Sequence, residues 1–96
     1  MNEFEIYRKE AISFMTDFLN RTMDGEQMVN EFTNRFAEKF ALTQEQRCAV
    51  KIALAQLSML QIHYGEVPDG FVGIAINLIT HILLKDWEGV EGMLND

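Results

Sequence analysis

Residues 71–85 read FVGIAINLITHILLK, and the fold depends on whether this stretch crosses a membrane, lies in a sheet or runs through a helical core. A membrane span needs about 20 consecutive apolar residues, and Lys85-Asp86 closes the run too early for that. Strand alternation also fails, because Ala75-Ile76 and Leu78-Ile79 are adjacent apolar pairs. The polar positions Asn77, Thr80, His81 and Lys85, with Gly73 four before Asn77, recur instead at helical spacing. The stretch therefore predicts a helix of about fifteen residues, central in a bundle and open to water only along that narrow stripe. The β-branched residues Val72, Ile74, Ile76, Ile79 and Ile82 keep a buried strand as the competing assignment.

Upstream, Gly65-Glu66-Val67-Pro68-Asp69-Gly70 is the strongest punctuation in the chain. Pro68 lacks a donor and Gly70 loosens the backbone, so the preceding helix ends here and Asp69 is expected to cap the next. That preceding helix starts at Thr43, with Gln46 three residues on as the partner of a capping box. It continues to Tyr64 with Val50, Ala53, Leu54, Leu57, Leu60 and Tyr64 on its apolar face. Before it, Asp24 with Gln27 announces another helix, in which Met28, Phe32, Phe36 and Phe40 follow at intervals of four as one slanted ridge. From Glu3 to Leu19 the apolar residues Phe4, Tyr7, Ala11, Phe14, Met15, Phe18 and Leu19 again keep the helical period. Downstream, Trp87, Val90 and Leu94 share one face of a short closing helix or an irregular cover. Gly89 and Gly92 weaken it by about 1 kcal/mol each relative to alanine.

Ninety-six residues, 48% of them apolar, suffice for one domain with its own core. The expected fold is all-α: residues 1–96 as a single compact antiparallel four-helix bundle, with a short fifth helix at the C-terminal end. The single cysteine, Cys48, needs no oxidising compartment, and MNEFEIYRKE lacks the basic flank and apolar run of an export signal. The expected location is cytoplasmic.

Chemistry is thinly represented. His81 has Asn77 and Lys85 as its helical neighbours at four, neither able to orient an imidazole as a carboxylate does, and His63 has Met59 and Val67. Both read as structural or surface residues. Two histidines and one cysteine without motif spacing make no metal centre, and the glycines form no phosphate loop. Cys48, next to Ala49-Val50, reads as buried and inert. The carboxylate pairs Glu3/Glu5 and Glu88/Glu91 lack the dry pocket that acid–base work demands. An enzyme, a cofactor and a metal are accordingly not expected.

The charge is more informative. Fifteen acidic against eight basic residues give a net charge of −7, which disfavours direct binding to nucleic acid. From residue 48 onward, Lys51 and Lys85 face Glu66, Asp69, Asp86, Glu88, Glu91 and Asp96. Such a surface attracts a basic protein. The candidate contacts are Glu66 and Asp69 before the fourth helix, and Asp86, Trp87, Glu88 and Glu91 after it, with Trp87 as an apolar anchor. If an apolar face stays exposed, Met23, Met28, Met59 and Met93 would make an adaptable contact surface, or a homodimer would hide it.

Residues 11–42, AISFMTDFLNRTMDGEQMVNEFTNRFAEKFAL, resemble the front of small bacterial immunity proteins of the colicin D immunity-like family. The resemblance is carried by Phe18-Leu19 at the end of the first helix, the turn from Asn20 to Gly25, and Met28, Phe32 and Phe36. It implies an acidic helical bundle that binds a basic nuclease toxin and occludes its active site with carboxylates. The back half departs from that pattern, being strongly apolar over FVGIAINLITHILL and acidic only from Asp86 to Glu91. The same charge logic leaves two alternatives open: a phage-encoded inhibitor of a nucleic-acid-directed defence complex, and a small helical adaptor or regulatory protein acting as a homodimer.

Overall fold

The computed structural model describes residues 2–20 and 25–95, the side chains of residues 94 and 95 excepted. Among these residues there are five helices and no strand: α1 (Glu3–Leu19), α2 (Gly25–Phe40), α3 (Gln44–Tyr64), α4 (Asp69–Leu83) and α5 (Trp87–Asn95). α4 packs on α1, α3 and α5, and α3 packs on α2. The fourth side of the bundle, between α1 and α2, is bridged by aromatic side chains. Phe14 stacks on Phe36 with ring centres 4.2 Å apart and meets Phe32 edge-on at 5.5 Å. Phe18 also meets Phe32, at 5.2 Å. The ridge predicted from the four-residue spacing thus packs on α1, and large rings let two helix axes stand apart without leaving a void. Exposed ion pairs Lys39–Glu10 (2.7 Å) and Arg35–Asp17 (3.8 Å) span the same seam, where each contributes at most about 1 kcal/mol.

The core is one cluster that includes Met15, Phe18, Phe32, Leu54, Ile79 and Ile82. The stretch quoted first is indeed the central helix, but its open side differs from the expected stripe. Thr80 is fully buried, its hydroxyl donating to the Ile76 carbonyl at 2.7 Å, and that back-bond makes burial of the hydroxyl affordable. The exposed side of α4 holds Gly73 and Asn77 together with two large apolar residues, Phe71 and Ile74.

The helix ends show what sequence punctuation can and cannot reveal. Thr43 and Gln46 form the predicted capping box: Gln46 N–H donates to Thr43 Oγ1 at 3.2 Å, and Thr43 N–H donates to Gln46 Oε1 at 2.9 Å. Asn2 caps α1 by accepting from Glu5 N–H at 2.9 Å. Asp69 does not cap α4. Pro68 occupies that position, its carbonyl accepting from Phe71 and Val72, and Asp69 is the first helical residue, where its charge complements the helix dipole. The expected cap at Asp24, like Met23, lies outside the described residues.

Two helices end on left-handed residues that are not glycine, Ala41 (φ 50°) and Lys85 (φ 57°). In both, the next N–H reaches back to the carbonyl five residues earlier: Leu42 to Ala37 at 3.0 Å, and Asp86 to His81 at 2.9 Å. This six-to-one bond, typical of helix C-termini, offsets the strain of the left-handed turn.

Candidate partner-binding surface

The reversal at Lys85 brings together residues that helical spacing alone keeps apart. Asp86 Oδ1 accepts from Gly89 N–H at 3.1 Å and so caps α5, while Asp86 Oδ2 lies 3.0 Å from His81 Nδ1. The contact is charge-reinforced when the imidazole is protonated; its alignment does not meet that of an N–H···O hydrogen bond, and Nδ1 is shut off from solvent. Phe4 of α1 covers the imidazole, ring centres 5.8 Å apart. The carboxylate that the i+4 rule does not find for His81 is therefore supplied at i+5, through the turn. A carboxylate and a phenyl ring flank the imidazole, and the cluster joins α4, α5 and α1. Gly89 is part of it: a Cβ there would stand 2.6 Å from Asp86 Oδ2 and 3.1 Å from His81 Nδ1. This glycine makes room for the cap.

Cys48 corrects the expectation of a buried thiol. It is exposed on the first turns of α3, with Gln44 Nε2 3.7 Å from its sulfur. The core side of that turn is taken by Gln46 and Val50 instead. Tyr64, assigned to the apolar face of α3, is likewise exposed.

The six predicted contact residues fall at the two ends of α4, a helix about 22 Å long. Glu66 and Asp69 are exposed in and just after the connection from α3, whereas Glu88 and Glu91 are exposed on α5. Asp86 has both oxygens engaged as described, and Trp87 is half-buried against the core with Val90. The acidic positions are thus not one patch.

Between these ends lies a feature not singled out in the sequence, a groove of about 430 Å³ between the C-terminal half of α3 and the N-terminal half of α4. Its walls are Met59, Tyr64, Phe71 and Ile74, which are 58%, 74%, 49% and 53% exposed. Ala53 and Ala75, both buried, line its bottom, and His63 and Gln56 are its polar groups. A separate, smaller cavity of about 80 Å³ shares Ala53, Gln56 and Leu78 with the groove and is also lined by Ile52, Ile82 and Val90 of α5. From Ile52 to Leu84 the chain has no lysine or arginine, and its only carboxylates are Glu66 and Asp69. Both sit in the segment that joins Tyr64 to Phe71, two of the residues that line the groove. The period-3.6 pattern marks these residues as apolar, but exposure depends on whether another helix covers them.

Among the described residues no three His, Cys, Asp or Glu side chains come together as metal ligands, and no helix is long and apolar enough to cross a membrane. No family model, curated protein or solved structure matches the chain.

Proposed function

We propose that this chain is a non-catalytic binding protein that neutralises a basic partner, a nuclease toxin in the reading suggested by residues 11–42, by covering the partner's substrate-binding surface. The observation that carries the reading is the exposed apolar groove whose lining residues Tyr64 and Phe71 flank the segment bearing Glu66 and Asp69, in a stretch from Ile52 to Leu84 without a single lysine or arginine. Apolar surface supplies affinity once covered, and an unopposed negative rim steers a cationic partner and holds off polyanions. A nuclease surface that binds phosphates is cationic by necessity, so carboxylates held against it compete directly with the substrate. The contacts we assign are Glu66 and Asp69 at one end of α4, and Glu88, Glu91 and the Asp86-Trp87 corner at the other. An interface of standard size, about 800 Å² on each partner, spans that distance.

The test is capture on the immobilised protein from native lysate at about 50 mM and again at about 500 mM salt, followed by an RNA-cleavage assay of whatever is retained. The expected result is a basic nuclease, held less tightly at the higher salt and silenced by an equimolar amount of this chain. Reversal of Glu66 and Asp69, or of Glu88 and Glu91, to lysine slows association while the circular dichroism is unchanged. Retention indifferent to both salt and these reversals would overturn the proposal.

A further inference from the structure

We infer that the groove between α3 and α4 is the seat of an amphipathic helix of the partner, its apolar stripe filling the groove and a lysine or arginine near one end meeting Glu66 and Asp69. The inference rests on the reading of the chain as a binder of basic protein and adds where and in what shape the partner is held.

Three features select the occupant. The first is convergence: exposed apolar residues scattered singly over a small domain are ordinary, but Met59, Tyr64, Phe71 and Ile74 wall one depression. Met59 adds a flexible side chain that adapts to the shape of a guest. The second is form. From Ile52, which lines the smaller cavity, to Tyr64, which lines the groove, is about 18 Å along α3, or some three helical turns. The alanines at the bottom, Ala53 and Ala75, allow close approach of a cylinder. A peptide that binds by strand addition needs a sheet edge, and none is present among the described residues, whereas an amphipathic helix needs only side-chain packing.

The third feature is charge. With no lysine or arginine from Ile52 to Leu84, nothing in that stretch neutralises Glu66 and Asp69, and a second copy docking this same face brings no lysine or arginine from it. Anionic lipid headgroups and nucleic acid are repelled by the same two carboxylates. A cationic end on an otherwise apolar helical face satisfies both parts of the surface.

The probe is a fluorescent helical peptide of about 16 residues, long enough to span the groove, with leucines at i, i+4, i+7 and i+11 and two arginines at one end. Two controls accompany it: the same residues scrambled so that charge remains without the stripe, and the ordered peptide with glutamates for arginines. Anisotropy titrations are run on the full chain and on Ile74→Asp, Met59→Asp and the double variant Glu66→Lys/Asp69→Lys. The substituted side chains are exposed, and circular dichroism checks each fold. The expected result is binding of the ordered basic peptide at least about tenfold tighter than either control, a loss of about tenfold in Ile74→Asp and in Met59→Asp, and a reversed preference for the acidic peptide in the double variant.

If the scrambled basic peptide binds as well as the ordered one, the groove assignment falls while the acidic-surface reading of function stands. If neither basic peptide binds at about millimolar concentration, the helix-seat assignment falls, and the salt-dependent capture decides the functional reading separately. If sedimentation shows a dimer that Ile74→Asp dissolves, the groove is a self-interface and the helix-seat assignment is overturned.

Discussion

Gln46 has two roles in one side chain, and Gln46→Glu separates them. At a helix N-terminus, glutamate and glutamine serve a capping box equally well, because both accept from the cap N–H. Here the amide's other end is committed as well: Nε2 donates to the Ile82 carbonyl at 2.9 Å, with Leu83 O at 3.5 Å, and the side chain is buried. A carboxylate in its place turns a donor into a second acceptor facing two carbonyls. The chain can escape by protonating the new carboxyl, which at pH 7 costs about 3.7 kcal/mol for a group whose ordinary value is 4.3. That is the ceiling of the electrostatic cost. The floor is the lost hydrogen bond, about 1 kcal/mol. The expected loss at pH 7 therefore lies between about 1 and about 3.7 kcal/mol, which for a domain of this size lowers Tm by on the order of 10 °C. The folded state raises this carboxyl's value above the unfolded one, so the deficit is absent well below pH 4.3 and grows as pH rises through it, by about 1.4 kcal/mol per unit until the folded value is reached. Urea unfolding of variant and parent at pH 7 and near pH 4 measures both numbers. A variant within about 0.5 kcal/mol of the parent at both pH values would refute the tie between α3 and the C-terminus of α4.

Other substitutions test other parts of the structure. Gly73→Ala, inside α4 with open space where the Cβ would go, is expected to stabilise by about 0.5 to 1 kcal/mol in urea titrations, whereas Gly89→Ala destabilises because its Cβ collides with Asp86. Asp86→Ala removes the α5 cap and the contact with His81, and should cost about 1 to 2 kcal/mol; α5 should loosen first, reported by the fluorescence of Trp87, the single tryptophan. Cys48 should react stoichiometrically with an aromatic disulfide reagent in the native protein, without denaturant, since its side chain is exposed. Phe32→Ala, which deletes a buried ring touching Phe14 and Phe18, should cost about 3 to 5 kcal/mol by the same unfolding assay.

The bundle was legible because its evidence is local. A repeat of three and four in Glu3–Leu19, Phe residues four apart after Met28, a capping box at Thr43 and a proline before Asp69 each concern residues within one or two turns, and each has a near-unique physical solution. The net negative charge and its scarcity of basic residues after Cys48 are equally properties of the chain alone. Apart from the cap of α4, which falls on Pro68 and not on Asp69, the wrong assignments turn on which side of a helix a neighbour covers. Cys48 and Tyr64 look apolar enough for the core, and Thr80 looks polar enough for the surface. Burial went the other way in each case, because α4 covers one face of α3 while α1, α3 and α5 close around α4. Thr80 satisfies its own hydroxyl within its own helix.

Sequence alone therefore determined that this protein is a helical bundle, where most of its helices stop, and that its net charge is negative. Only the tertiary structure decided that Asp86 reaches His81 through a left-handed Lys85, that Gln46 ties two helices together, and that Met59, Tyr64, Phe71 and Ile74 are left uncovered beside Glu66 and Asp69. The reason is range. Periodicity and caps are set by bonds between residues a few positions apart, whereas a groove exists only as the difference between the apolar surface a helix presents and the part its neighbours happen to bury.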